Sequence, residues 1–94
     1  MGGWVYIMAS RKGGTLYTGV TNDIARRAWE HRDSVLPGFT VRYGVLRLVW
    51  YRQHDCIVQA IEEEKRIKKW RRIWKIEMIE RENPEWKDLY PLLF

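Results

Sequence analysis

The sequence is poor in the features that hold secreted or membrane-bound chains together. It has a single cysteine, Cys56, so neither a disulfide framework nor a cysteine-based zinc site is expected, and a reduced, cytoplasmic setting follows. Its longest apolar run, Trp4 to Ala9, is far short of the roughly 20 residues that span a bilayer. The N-terminus has neither the basic start nor the long apolar core of a secretion signal. Repeats and low-complexity segments are missing. Acidic residues are in the minority, 12 against 17 lysines and arginines, for a net charge of +5, which favours a polyanionic partner without identifying it. What is present is apolar and aromatic: 46% of the 94 residues are hydrophobic and six are tryptophan. That is enough for a real core, so the expectation is one folded domain over residues 1–94.

The chain is organised around the stretch from Trp4 to His31. Trp4-Val5-Tyr6-Ile7-Met8 and Leu16-Tyr17-Thr18-Gly19-Val20-Thr21 are both aromatic and β-branched, and Arg11-Lys12-Gly13-Gly14 lies between them. The spacing predicts a β-hairpin whose glycines supply the positive φ of a tight reversal. Tyr6 and Tyr17 then sit on adjacent strands. Gly19 falls where the second strand hands over to a helix, and a residue without Cβ there lets backbone or a ligand phosphate come close. Thr21-Asn22-Asp23 offers three N-cap oxygens for that helix. At about 100° per residue, Ile24, Ala25, Ala28 and Trp29 form its apolar stripe. Arg26 pairs with Glu30 one turn on, whereas Arg27 shares its flank with His31; a structural alternative for Arg27 is a pair with Asp23.

Asp33-Ser34 and Pro37-Gly38 break the helix and begin a loop that leads to Arg42 and Tyr43. Val45 to Tyr51 reads as a third strand, in the middle or at the far edge of a small sheet. From Asp55 the period is helical again, with Ile57, Ala60, Ile61 and Ile67 on one face, Glu64 near the centre of that face, and Glu62 and Glu63 pointing outward. A carboxylate in an apolar stripe costs several kcal/mol of desolvation unless it is paired, protonated or metal-bound; the structural alternative is an ion pair with Lys68. Lys65 to Lys75 holds seven basic residues and no acidic one. The run reads either as a solvated face or, through Lys65, Lys68, Lys69 and Arg72, as a track for phosphates. Asn83-Pro84 closes the last helix. Together these elements predict an α/β fold of the α+β type, a three-stranded antiparallel sheet with flanking helices, helical after Asp55 as one long or two shorter segments.

Trp4-Val5-Tyr6, Tyr17-Thr18-Gly19, Arg27, His31 and Glu64 together resemble the GIY-YIG nuclease superfamily, most of all its small stand-alone bacterial members. Trp4 stands in place of the first motif's glycine and Thr18 in place of the second motif's isoleucine; neither change removes a reacting group. The resemblance implies a metal-dependent endonuclease acting on DNA or RNA, with nicking of DNA in repair or recombination as the leading expectation. It implies that Tyr6 deprotonates or orients the attacking water, that Tyr17 positions that water or Tyr6, and that these two could exchange roles. Arg27 would grip the scissile phosphate, and His31 would hydrogen-bond a tyrosine or the phosphate. Glu64 would hold a single Mg2+ or Mn2+, since one carboxylate plus water and substrate oxygens suits magnesium. Gly19, Arg42, Tyr43 and Asn83 would contribute to nucleic-acid binding, although Asn83 reads equally as a helix cap. The protein is expected to act as a monomer or weak dimer. A second class stays open, a nucleic-acid-binding module that keeps the fold with little or no turnover.

Overall fold

The computed structural model describes residues 2–32 and 44–93, so Arg42 and Tyr43 lie outside the described residues. Three strands, β1 (Gly3–Ala9), β2 (Leu16–Thr21) and β3 (Arg47–His54), form one antiparallel sheet in the order β2-β1-β3. The strand richest in aromatic and β-branched residues near the N-terminus is therefore the central one, and the third strand takes the far edge. The β1–β2 reversal is tied by Ser10 N to Thr15 O at 3.0 Å and Gly14 N to Arg11 O at 2.9 Å. Gly13 there takes φ of 72°, a conformation that costs an L side chain roughly 1–2 kcal/mol.

Three helices follow the pattern of apolar residues: α1 (Ile24–Arg32), α2 (Ile57–Lys68) and α3 (Arg72–Glu82). Asp23 caps α1, its Oδ1 accepting from Arg26 N at 3.2 Å. The helical tract after Asp55 is two helices rather than one. At the break the Lys69 and Trp70 amides bond to the carbonyls of Arg66 and Ile67, tightening the last turn into 3-10 geometry.

Strand alternation sends side chains of β1 to opposite faces of the sheet. Val5, Ile7 and Ala9 join Val49, Trp50, Ala60, Ile67, Ile79 and Trp86 in a core under α2 and α3. Tyr6 and Met8 face the other way, into a second cluster with Ile24 and Ala28 of α1 and with Val45 and Leu48. The segment after α3 closes this second layer. Asn83 caps α3 and is buried, its Nδ2 donating to the carbonyls of Val49 at 3.0 Å and Lys87 at 2.9 Å. Leu89 N then bonds Leu48 O at 2.7 Å, Asp88 pairs with Arg32 of α1, and a short 3-10 helix, Tyr90–Leu93, packs on the cluster. Trp86 is fully buried at φ of 57°, a strained backbone held by its Nε1 bond to Glu80 at 2.8 Å.

Two helical stripes turn differently from the expectation. On α1 the buried residues are Ile24, Ala28 and His31, and Trp29 is 46% exposed; the stripe is centred one step round, which is what brings His31 inward. On α2 the buried residues are Ala60, Glu63 and Ile67. Glu63 does not point outward. Its carboxylate accepts from Arg52 Nη1 at 2.6 Å and lies 2.7 Å from His54 Nε2, two partners on the preceding strand β3, beyond the helix's own turns. Because one partner is half exposed, Glu63→Ala is expected to cost about 1–3 kcal/mol, and Glu62→Ala less than about 0.5 kcal/mol. Urea melts of the two variants would check this, and equal effects would contradict the placement of Glu63.

Candidate active site

The site is built where Tyr6 crosses the edge strand. In the β1–β2 register Tyr6 pairs with Gly19, Met8 with Tyr17 and Trp4 with Thr21, so Tyr6, Tyr17 and Gly19 share one face. A Cβ at position 19 would lie 2.4 Å from Tyr6 Oη and 2.5 Å from its Cζ. The phenol thus occupies the space that a side chain on β2 would fill, and only glycine leaves it free. His31 reaches the same point from α1, with Nε2 3.0 Å from Tyr6 Oη in a buried contact. Tyr17 completes a cluster of three rings, its centroid 5.4 Å from His31 and 6.3 Å from Tyr6. Thr18 pairs with Ile7 and so belongs to the opposite face, while Trp4 packs edge-on against Tyr51 at 5.7 Å. The two departures from the family motifs therefore leave the ring cluster intact.

Burial sets the protonation of this cluster. The Tyr6 phenol is pushed well above the usual tyrosine range, first by desolvation and then by Tyr17, with Glu30 and Glu64 adding to the rise and Arg27 opposing it. His31 is lowered from its usual value by desolvation and by Arg27, against Glu30. The pair is therefore neutral: the phenol keeps its proton and the imidazole is free to accept one. His31 Nδ1 is buried and has no hydrogen-bond partner among the described residues.

Arg27 lies at the edge of this cluster. Its Nε is 3.5 Å from Glu30 Oε1, and Arg26 Nε is 3.8 Å from Glu30 Oε2, so Glu30 serves both arginines and the alternative pairing of Arg27 with Asp23 does not form. Sequence spacing assigned Glu30 to Arg26 alone; the i, i+3 relation to Arg27 was the available signal. Arg26 is 75% exposed and Arg27 38%, and of the two arginines it is Arg27 that acts on both Tyr6 and His31. A cleft of about 150 Å³ opens beside them, lined by Thr21, Asn22, Asp23, Arg26, Arg27 and Glu30.

Glu64 belongs to the helix of the other layer, yet its charge reaches Tyr6. Its side chain is 13% exposed and paired with Lys68 at 3.0 Å, the arrangement given above as its structural alternative. Among the described residues no three of His, Cys, Asp and Glu gather as a metal cage. With Lys68 displaced, a single, partly exposed carboxylate of this kind fits a hard cation that keeps most of its waters and takes its remaining ligands from a substrate phosphate. Of the predicted cations, Lys65, Lys68 and Lys69 are exposed. Lys68 and Arg72 stand close enough to Lys75 to lower it, after desolvation. Arg72 also donates to the carbonyls of Gly13 at 2.8 Å and Gly14 at 2.6 Å, which ties α3 to the hairpin turn. The amide of Asn83 is spent within the fold.

A three-stranded antiparallel sheet whose central strand buries Tyr6 against His31 of α1, with the half-buried Arg27 beside them, defines a small α/β domain with a polar, ring-lined site. The chain matches the GIY-YIG catalytic domain over residues 2–77 and belongs to that family. Its fold is similar to the solution NMR structure of a UPF0213 protein from Bacillus halodurans, at 27% identity and a TM-score of 0.58 over 98% of this chain and 97% of that one. No curated protein matches it.

Two outcomes follow from this geometry. Gly19→Ala should displace the Tyr6 ring and cost about 1–3 kcal/mol by overpacking; a denaturant midpoint equal to wild type would contradict the packing. Because His31 is lowered in the folded state, its contribution is fully present above the unfolded value of about 6.5 and is lost as pH falls below it. Stability should therefore decline from pH 7 to pH 5, and His31→Gln should flatten that decline in thermal melts.

Proposed function

We propose that this protein is a divalent-metal-dependent endonuclease that hydrolyses nucleic-acid phosphodiester bonds, nicking DNA as a monomer in repair or recombination. The observation that supports this most is the convergence of Tyr6, His31 and Arg27 over Gly19 in a member of the GIY-YIG family. In this reading Tyr6 Oη takes a proton from the attacking water while its own proton passes to His31 Nε2, which is neutral and 3.0 Å away. Tyr17 holds the Tyr6 ring in place. Arg27 binds the scissile phosphate at the cleft and stabilises the charge that grows on its oxygens. Glu64 would hold Mg2+ or Mn2+, which when bound supplies positive charge to the phosphoryl oxygens and to the leaving oxygen. Lys65, Lys68, Lys69 and Arg72 would bind flanking phosphates.

A second reading is supported by one observation, the burial of Tyr6 to 1% exposure with its phenol held protonated. Metal-free protein in that state would bind nucleic acid and not cut it. A panel of branched, damaged and single-stranded DNA and of RNA, assayed with and without magnesium, separates the readings. Cleavage should need the metal and be abolished in Glu64→Gln, while nucleic-acid binding persists. Arg27→Ala should lower turnover about 100-fold or more and Arg26→Ala only slightly. Metal-independent cleavage, or equal effects of the two arginines, would contradict the assignment.

A further inference from the structure

On the layer away from α1, a groove lies between α2, α3 and the end of β3, and its walls carry Arg52, Arg66, Trp70, Trp74, Glu77 and Arg81.

 The groove's volume is about 620 Å³, which is in the range of pockets that take a small organic ligand.

The groove is separate from the track beside Glu64. At about 100° per residue, Arg66 and Lys68 point to opposite sides of α2. On α3, Arg72 and Lys75 likewise share one side, while Trp74, Met78 and Arg81 share the other. The basic stretch from Lys65 to Lys75 is thus split between two faces, and the function proposed above uses only one of them.

Three properties of the groove point to one class of ligand. Trp74 is 49% exposed, although it is a large apolar ring. Trp70 meets it edge-on at 6.4 Å and the Arg71 guanidinium lies 5.8 Å from its centroid, so the ring is propped in place. Arg66 and Arg81 make no ion pair among the described residues, while Arg52 is already engaged by the buried Glu63. A half-exposed indole that shares a groove with two guanidinium groups free of ion pairs matches an unpaired base and its neighbouring phosphates. The Glu77 carboxylate, which would repel a phosphate, can accept from the exocyclic amine of a base.

We propose that this groove binds an unpaired nucleotide of single-stranded nucleic acid, with its base stacked on Trp74 and its phosphates held by Arg66 and Arg81. The site goes beyond the nuclease reading and does not depend on turnover at Tyr6.

The test is fluorescence anisotropy with a labelled single-stranded oligonucleotide and, separately, a blunt duplex, on the full chain without metal. Trp74→Ala should weaken single-strand binding about tenfold or more and leave duplex binding unchanged, and Trp74→Phe should restore most of the loss. Arg66→Gln with Arg81→Gln should reduce the salt slope for the single strand by about 1.4. Circular dichroism melts establish that each variant is folded. Failure of the parent protein to bind the single strand, or equal binding by folded Trp74→Ala, would overturn the proposal. Binding that depends on Trp74 in a protein that cuts nothing would uphold the groove and refute the nuclease reading, so the two fail separately.

Discussion

The packing of the Tyr6 phenol on the bare backbone of Gly19 is the constraint on which the site depends. It requires a glycine on the edge strand, a central strand that delivers Tyr6 to the correct face, and a helix whose buried line ends in His31. Each requirement is met by a different element, so the hairpin, the register and α1 are coupled through one side chain. Burial then does chemical work. It keeps the phenol protonated and the imidazole neutral, a state in which the pair can relay a proton but in which Tyr6 is not itself a strong base.

The electrostatics around this pair favour the protonated phenol. Glu30 and Glu64 both favour the protonated phenol, and Arg27 alone opposes them. In the proposed reading, a cation held at Glu64 would offset that carboxylate's effect on Tyr6 and so would link metal binding to activation of the tyrosine. The Lys68 ammonium already occupies the position of a partner for Glu64, which makes the metal-free fold tolerable without supplying the charge of a divalent ion.

Much of the fold was legible because its signals are local: two strands joined by a glycine turn, an Asp23 cap and a helical period after Asp55. The ring cluster was legible only through the resemblance, since alternation puts Tyr6 and Tyr17 on adjacent strands without saying which face meets α1. What spacing missed were contacts that depend on helix rotation and on partners in a neighbouring element. Glu63 looked solvated because its partners, Arg52 and His54, lie on β3. Trp29 looked buried because the stripe on α1 was centred one step too far. The basic run from Lys65 to Lys75 looked like a single feature because nothing local marks the break between α2 and α3 that distributes its charges.

The central claim is that the Tyr6 hydroxyl, rather than the ring alone, carries the chemistry. Nicking of supercoiled plasmid by wild type and Tyr6→Phe in magnesium tests it most directly, with anisotropy measured on the same preparations. The account predicts that the phenylalanine variant folds and binds DNA while losing nicking by about 100-fold or more. A variant that nicks at the wild-type rate would contradict it.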